Sequence, residues 1–304
     1  MLNVIMGNKV FIIGNGFDLN LGWNTSYRSF IASDSWKNLM NNGKDCQLKQ
    51  FLKNQINIDG WCDLEGCLRL FATETFPPVA GINDKLFYDE LRISLTDFIR
   101  QEEKKVFDKN SMAAQTLKAV LSNGWFTSIY DFNYTDLNSV AKKIGVSSKF
   151  FFQHVHGCVE NNSIILGIDD EAKIKKGFSF FLKVFSEHYR THPIRYDLEE
   201  CNEVVFFGHS LGDIDYPYFK DFFYTQSHCD SRKEGKRITI FTKDNSSRLQ
   251  ILEQLRRMNE ARTERLLNDN TFNIIMTESP NQELWEQFLN HLHNDTPSKL
   301  ISYI

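Results

Sequence analysis

The sequence predicts an α/β protein of Rossmann-like architecture: a mostly parallel sheet with helices on both faces and a helical insertion after the first strand-helix unit. Three observations predict it. Short apolar runs alternate with amphipathic stretches along much of the chain, the pattern of a parallel sheet covered on both sides. The first run, Lys9 to Ile13, stops abruptly at Gly14-Asn15-Gly16, as a buried strand does when it ends in a tight turn. Residues 45–123 carry only helical periodicity, so the alternation is interrupted once and then resumes.

In chain order, the strand from Lys9 leads to a helix capped by Thr25 or Ser26, with Tyr27, Phe30 and Ile31 at helical spacing. The insertion then shows Leu48, Phe51, Leu52 and Ile56, followed by Leu64, Leu68 and Phe71. After Pro77-Pro78 and Gly81 comes a longer amphipathic stretch with Phe87, Leu91, Leu95, Phe98 and Ile99. Strands are expected at Trp125 to Phe132, Phe150 to Val155, Ser163 to Leu166, Glu203 to Phe207, Arg237 to Phe241 and Phe272 to Met276. Helices are expected between most of them, at Leu137 to Ile144, Phe178 to His188, Tyr216 to Tyr224, Ser246 to Met258 and Gln282 to His291. The resulting division is a nucleotide-binding core over 1–44 and 124–293, a helical cap over 45–123, and a frayed tail over 294–304.

Composition narrows the function. The chain has 304 residues, 41% hydrophobic and 24% charged, which describes an ordinary globular protein and excludes a disordered or collagen-like one. Its 35 basic and 39 acidic side chains leave a formal charge of −4, which argues against a broad nucleic-acid footprint. No window reaches the ~18 consecutive apolar residues of a membrane helix, and Met1 to Val10 lack the features of a signal peptide. The six cysteines form no C-x-x-C pair, so a zinc ribbon is not expected and reduced thiols in a cytoplasmic protein are.

Ligands of a doubly wound sheet bind beyond the carboxyl ends of its strands. Four such ends are rich in polar residues and glycine: Gly14-Asn15-Gly16-Phe17-Asp18, Asp131 to Asp136, His154-Val155-His156-Gly157, and Gly208 to Asp215. Glycines at 14 and 16 let backbone amides approach a phosphate, although the third glycine of the dinucleotide fingerprint is replaced by Leu19. Asn133 can donate and accept, which suits a ribose hydroxyl or a water, or it can simply organise its own loop. His156 sits at the strand end with Gly157 leaving room for a ligand, while His154 lies deeper and reads as structural. The pair lacks a third metal ligand at suitable spacing, so no metal is expected. Ser210 satisfies a G-x-S-x-G pattern by letters, but the histidines left to complete a triad further on, His228, His291 and His293, fall in helical or tail contexts. Asp213 and Asp215 close the last loop, where one of them can cap the next helix. Asp63 can serve the dipole of its helix, and Glu65 is a candidate acid facing the cleft.

The segments I-I-G-N-G-F-D-L, T-S-Y-x-x-F, W-x-D-L-E, F-N-Y-T-D, H-V-H-G and G-H-S-L-G-x-I-D occur in that order, and together they resemble the AbiH family of phage abortive-infection proteins. The same set is similar, more distantly, to Sir2-like NAD-consuming domains. That resemblance implies NAD as substrate, with Gly14 and Gly16 at the pyrophosphate and Ser210 as a nucleotide contact; Asn15, Asp18 and Asp213 of the same loops are further candidate contacts. It implies Asn133 near the nicotinamide ribose and His156 as the group acting on ribose hydroxyls or water. In such a cleavage a carboxylate such as Glu65 or Asp18 can stabilise the developing positive charge. Asn15 and Asp18 stand where that pattern has alanine and serine, the acid after Asn133 comes one residue late at Asp136, and the zinc-ribbon cysteines are missing. Expected partners are a nucleotide ligand, a phage-derived trigger or toxin-system partner, and a second copy of the chain. Two alternatives stay open: a nucleotide-binding sensor without chemistry, and a metal-dependent nuclease.

Overall fold

The computed structural model describes residues 8–59, 63–73, 81–124, 126–146, 151–228 and 235–294. The features expected at Trp61-Cys62, Pro77-Pro78, Trp125, Phe150, Cys229 and the tail beyond Asn294 lie outside the described residues. The chain divides into two compact units: Met1–Gly22, Phe107–Val155 and His192–Ile304 form the first, and Trp23–Val106 with His156–Thr191 the second.

Strand β1 (Lys9–Ile13) and helix α1 (Gly16–Leu21) open the first unit. The second unit then holds α2 (Tyr27–Ala32), α3 (Asp34–Asn42), α4 (Gln47–Asp59), α5 (Leu64–Thr73) and α6 (Ile82–Glu103). The first unit resumes with α7 (Met112–Asn123), β2 (Phe126–Asp131), α8 (Leu137–Lys143) and β3 (Phe152–His154). After 3-10 turns at Ser179–Phe181 and Lys183–Phe185 in the second unit, the first continues through α9 (Ile194–Glu200), β4 (Glu203–Phe207), α10 (Tyr216–His228) and β5 (Arg237–Thr242). It ends with α11 (Asn245–Met258), α12 (Thr263–Asn268), β6 (Thr271–Met276) and α13 (Gln282–Asn294).

Among the described residues six strands form one sheet, all parallel, in the order β3-β2-β1-β4-β5-β6. This is the doubly wound order, in which the direction of winding reverses between β1 and β4. Alternation along the strands sends apolar side chains to both faces, so both must be covered. On one face Val10, Ile12, Val204, Phe206, Ile238 and Ile240 pack with Leu198 of α9, Phe219 and Phe223 of α10, Leu255 of α11 and Leu266 of α12. On the other, Phe207 meets Phe17 of α1 at 5.5 Å between ring centroids, and Phe241 meets Phe288 of α13 at 5.0 Å. At the amino end of the sheet, Glu203 lies 2.9 Å from Lys9 Nζ and 2.8 Å from His291 Nε2, so a buried charge on the central strands is answered twice.

The second unit is built around α6. Ser26 caps α2 by accepting the Ser29 amide at 3.1 Å, as its position before Tyr27 predicts. Phe71, Phe178 and Phe181 form an aromatic core with Tyr88 of α6. Two sequence expectations fail here. Ser163 to Leu166 is not a strand: Arg92 donates to the Ile164 carbonyl at 2.9 Å and Tyr88 to that of Leu166, so helix side chains satisfy a backbone that a neighbouring strand was expected to pair. Phe178 to His188 forms two 3-10 turns instead of a helix, because Lys183 pairs with Ile168, its amide donating to the Ile168 carbonyl at 2.9 Å.

Candidate functional site

The turn after β1 and the loop after β4 meet backbone to backbone at the point where the strand order reverses. Gly14 N donates to the Phe207 carbonyl and Gly16 N to that of Gly208, both at 2.9 Å. A Cβ on Gly14 would stand 2.5 Å from His209 Cα, and one on Gly16 2.6 Å from Gly208 Cα, so no larger residue fits either position without backbone movement. The glycines are therefore required by this close approach, and their own amides are engaged with carbonyls. Beyond Gly208 the loop is constrained. Buried Leu211 holds a left-handed φ of +53°, a conformation that costs a leucine energy, and its amide donates to His209 Nδ1 at 3.0 Å. That bond leaves the neutral ring's proton on Nε2, which lies 3.3 Å from Asp215. Asp215 thus faces His209. Ser210 is exposed, and Asp213 forms an exposed ion pair with Arg257 at 2.6 Å.

The loop after β2 ties into the same turn. Buried Asn133 donates through Nδ2 to the Gly14 carbonyl at 3.1 Å, so this side chain organises the junction of two strand ends. Thr135 Oγ1 donates to the Asp18 carboxylate, 3.1 Å from one oxygen and 3.2 Å from the other. Asp18 is only 1% exposed, and a buried carboxylate in this position depends on such donors. Asp136 caps α8 by accepting the Asn138 amide at 2.9 Å. The segment carrying Gly14, Gly16 and Asp18 is thereby hydrogen-bonded to Gly208 of one loop and to Asn133 and Thr135 of another, a cluster of loops within the first unit.

Next to that cluster stand two groups the sequence reading undervalues. Asp131, at the end of β2, is wholly buried, and burial raises its carboxyl above the ordinary range against the opposing pull of His154. His154, its register partner on β3, places Nδ1 3.0 Å from Asp131 Oδ2, an ion-pair distance rather than a well-aligned hydrogen bond. His192 is held below the usual imidazole range, first by burial and then by His154's charge. A signal for Asp131 exists in the sequence: it interrupts the run Ile129 to Phe132, and a carboxylate is rarely fully buried without a partner.

The second unit contains Glu65 and His156, joined through a lysine. Lys183 Nζ lies 3.2 Å from Glu65 Oε1 and 3.3 Å from His156 Nε2, and Glu65 also accepts the Gly167 amide at 3.1 Å. An ammonium only donates, so His156 Nε2 accepts here and the neutral ring's proton sits on Nδ1. The expected room beside Gly157 is a correction: a Cβ there would stand 1.9 Å from the Ser163 carbonyl, and Gly157 itself has φ +75°. This glycine serves a tight backbone crossing and leaves no ligand space at that spot. Lys183 carries no motif and is visible only in three dimensions. Among the described residues, no group of three or more His, Cys, Asp or Glu side chains is arranged to hold a metal ion. No described helix is long and apolar enough to cross a membrane.

These features define a doubly wound α/β protein with polar loops gathered at the carboxyl edge of its sheet, the class in which nucleotide ligands are commonly seated. The family model for bacteriophage abortive infection AbiH matches residues 10–233, well over half of the sequence. The chain belongs to the AbiH family, and membership implies a role in phage abortive infection. No curated protein matches it.

Proposed function

We propose that the chain is an abortive-infection effector that binds a nucleotide beyond the carboxyl ends of β1, β2 and β4 and cleaves the N-glycosidic bond of NAD or a related nucleotide. The observation that carries this reading is the strand order, whose reversal falls between β1 and β4, directly above the Gly14-Asn15-Gly16 turn. The distant likeness to Sir2-like domains points to the same loops. Loss of nicotinamide passes through an oxocarbenium-like state and needs an oriented ribose, a dry surrounding and one activated water. Asn133 suits the sugar, and an imidazole of the His154-Val155-His156 segment suits the water proton. Asn15, Asp18, Ser210 and Asp213 are the remaining candidates for nucleotide contact, and a phage-derived component is the expected trigger.

The test is NAD content in phage-infected cells carrying the chain. It should fall on infection with the wild type, with free nicotinamide appearing, and should hold with Asn133→Ala. Unchanged NAD, or equal loss with the variant, contradicts the reading. A second reading, a nucleotide sensor without chemistry, is favoured by the engaged amides of Gly14 and Gly16 and by Lys183 on His156 Nε2. Thermal stabilisation of the purified chain by NAD or ADP-ribose without any release of nicotinamide would select it.

A further inference from the structure

Strand β6 ends the sheet on one side, and among the described residues no strand pairs with its outer edge. The Thr271 amide donates to the Lys236 carbonyl at 3.0 Å, and the Thr277 amide to that of Thr242 at 2.8 Å. Alternate residues of a parallel strand face the same neighbour, so Thr271, Asn273 and Ile275 turn their backbone groups toward β5. Phe272, Ile274 and Met276 turn theirs outward, and all three residues are partly exposed. Such an edge is a template for another strand, and proteins usually blunt it with lysine, proline, a bulge or a very short strand. β3, at the other side of the sheet, has three residues and is blunted by its shortness. β6 is not. It reads Thr-Phe-Asn-Ile-Ile-Met over six residues, without charge, proline or glycine, and its register with β5 runs without a shift.

We propose that the outer edge of β6 is the contact between two copies of this chain, joined by antiparallel pairing about a two-fold axis at Asn273. The strand's own sequence specifies both that partner and that register. Centred on Asn273, the pairing sets Phe272 opposite the partner's Ile274, and Ile274 opposite the partner's Phe272. All four of these residues have outward backbone groups, as the hydrogen-bonded pairs of an antiparallel ladder require. A slip of one residue would set an outward group against one already facing β5, and those bonds would be lost. Each pair also places an aromatic ring beside a β-branched side chain, on the face where Phe272 and Ile274 already pack against the core. At the axis Asn273 meets its own copy, and each side-chain amide can donate to the other and accept from it. No like charges oppose one another along the strand, and beyond it Asp269 falls opposite the partner's Thr277. A two-fold contact occupies both edges and closes, so the product is a dimer and not a fibre. This inference does not depend on the nucleotide chemistry.

Sedimentation velocity of the purified full chain tests it, together with two charge variants at the axis. The wild type should sediment as a dimer. Asn273→Lys and Asn273→Asp each set like charges directly opposite, and each should raise the dimer dissociation constant about 10-fold or more. Mixed in equal amounts, the two variants should regain the dimer, because lysine then faces aspartate, a recovery that misfolded chains would not show. A wild type that stays monomeric by itself, whether or not it takes up a strand from another protein, overturns the proposal. A dimer that tolerates both charges, or variants that do not recover on mixing, also overturns it, since the contact then lies elsewhere.

Discussion

At the scale of single residues, the structure separates positions fixed by space from positions fixed by charge. Gly16 belongs to the first kind, since a methyl group there meets the Gly208 backbone at 2.6 Å and neither partner can give way cheaply. Gly16→Ala should cost about 1–3 kcal/mol, the range for overpacking, read as a lower urea midpoint. Glu65 belongs to the second. Glu65→Gln removes the carboxylate charge 3.2 Å from the buried Lys183 ammonium and should cost about 3–5 kcal/mol, while adding Lys183→Met should recover much of the loss. Glu203 supplies a pH dependence. Burial pushes its carboxyl up, but the His291 hydrogen bond and the Lys9 charge outweigh it, and the folded value lies below the ordinary 4.5. A depressed carboxyl adds stability that is fully present above the unfolded value, so that share should fade as pH drops below 4.5 through the lower folded value. Urea unfolding at stepped pH checks it: the acid-side decline should be shallower in Glu203→Gln than in the wild type, and parallel curves would contradict it.

At the scale of elements, what was legible in the sequence follows from periodicity. Apolar runs such as Val204 to Phe207 read as strands because both faces of a parallel sheet are buried, and the structure places β4 at Glu203–Phe207. Phe206→Ala removes a side chain with no exposure from between the sheet and α10, and should cost about 3–5 kcal/mol by chemical denaturation. The apolar run Ser163 to Leu166 reads identically but is a loop, because periodicity cannot register that Arg92 and Tyr88 will occupy its carbonyls from 72 and 78 residues away. The glycine turn after β1 was visible as a turn, whereas its reason, the Gly208 backbone, comes from a loop nearly 200 residues later in the chain. The same limit applied to the candidate site. Asn133 and Asp18 stood out by type and position, but the Asp131–His154 and Glu65–Lys183–His156 groupings depend on contacts between distant segments that no local spacing encodes.

At the scale of the whole molecule, the account rests on the sheet. A doubly wound order fixes one edge at which polar loops collect, and the first unit fastens three of its loops together there through Gly14, Asn133, Asp18 and Gly208. AbiH membership supplies the biological setting, phage abortive infection, and the proposed nucleotide chemistry supplies a reason for that setting to need such an edge. The claim on which everything else depends is that a nucleotide occupies the carboxyl edge. Hydrogen exchange of the purified chain with and without saturating NAD or ADP-ribose tests it most directly. Slower exchange confined to the segments around 13–22, 131–136 and 207–215 is the predicted result. Protection elsewhere with none in these segments, or no protection anywhere, would contradict it.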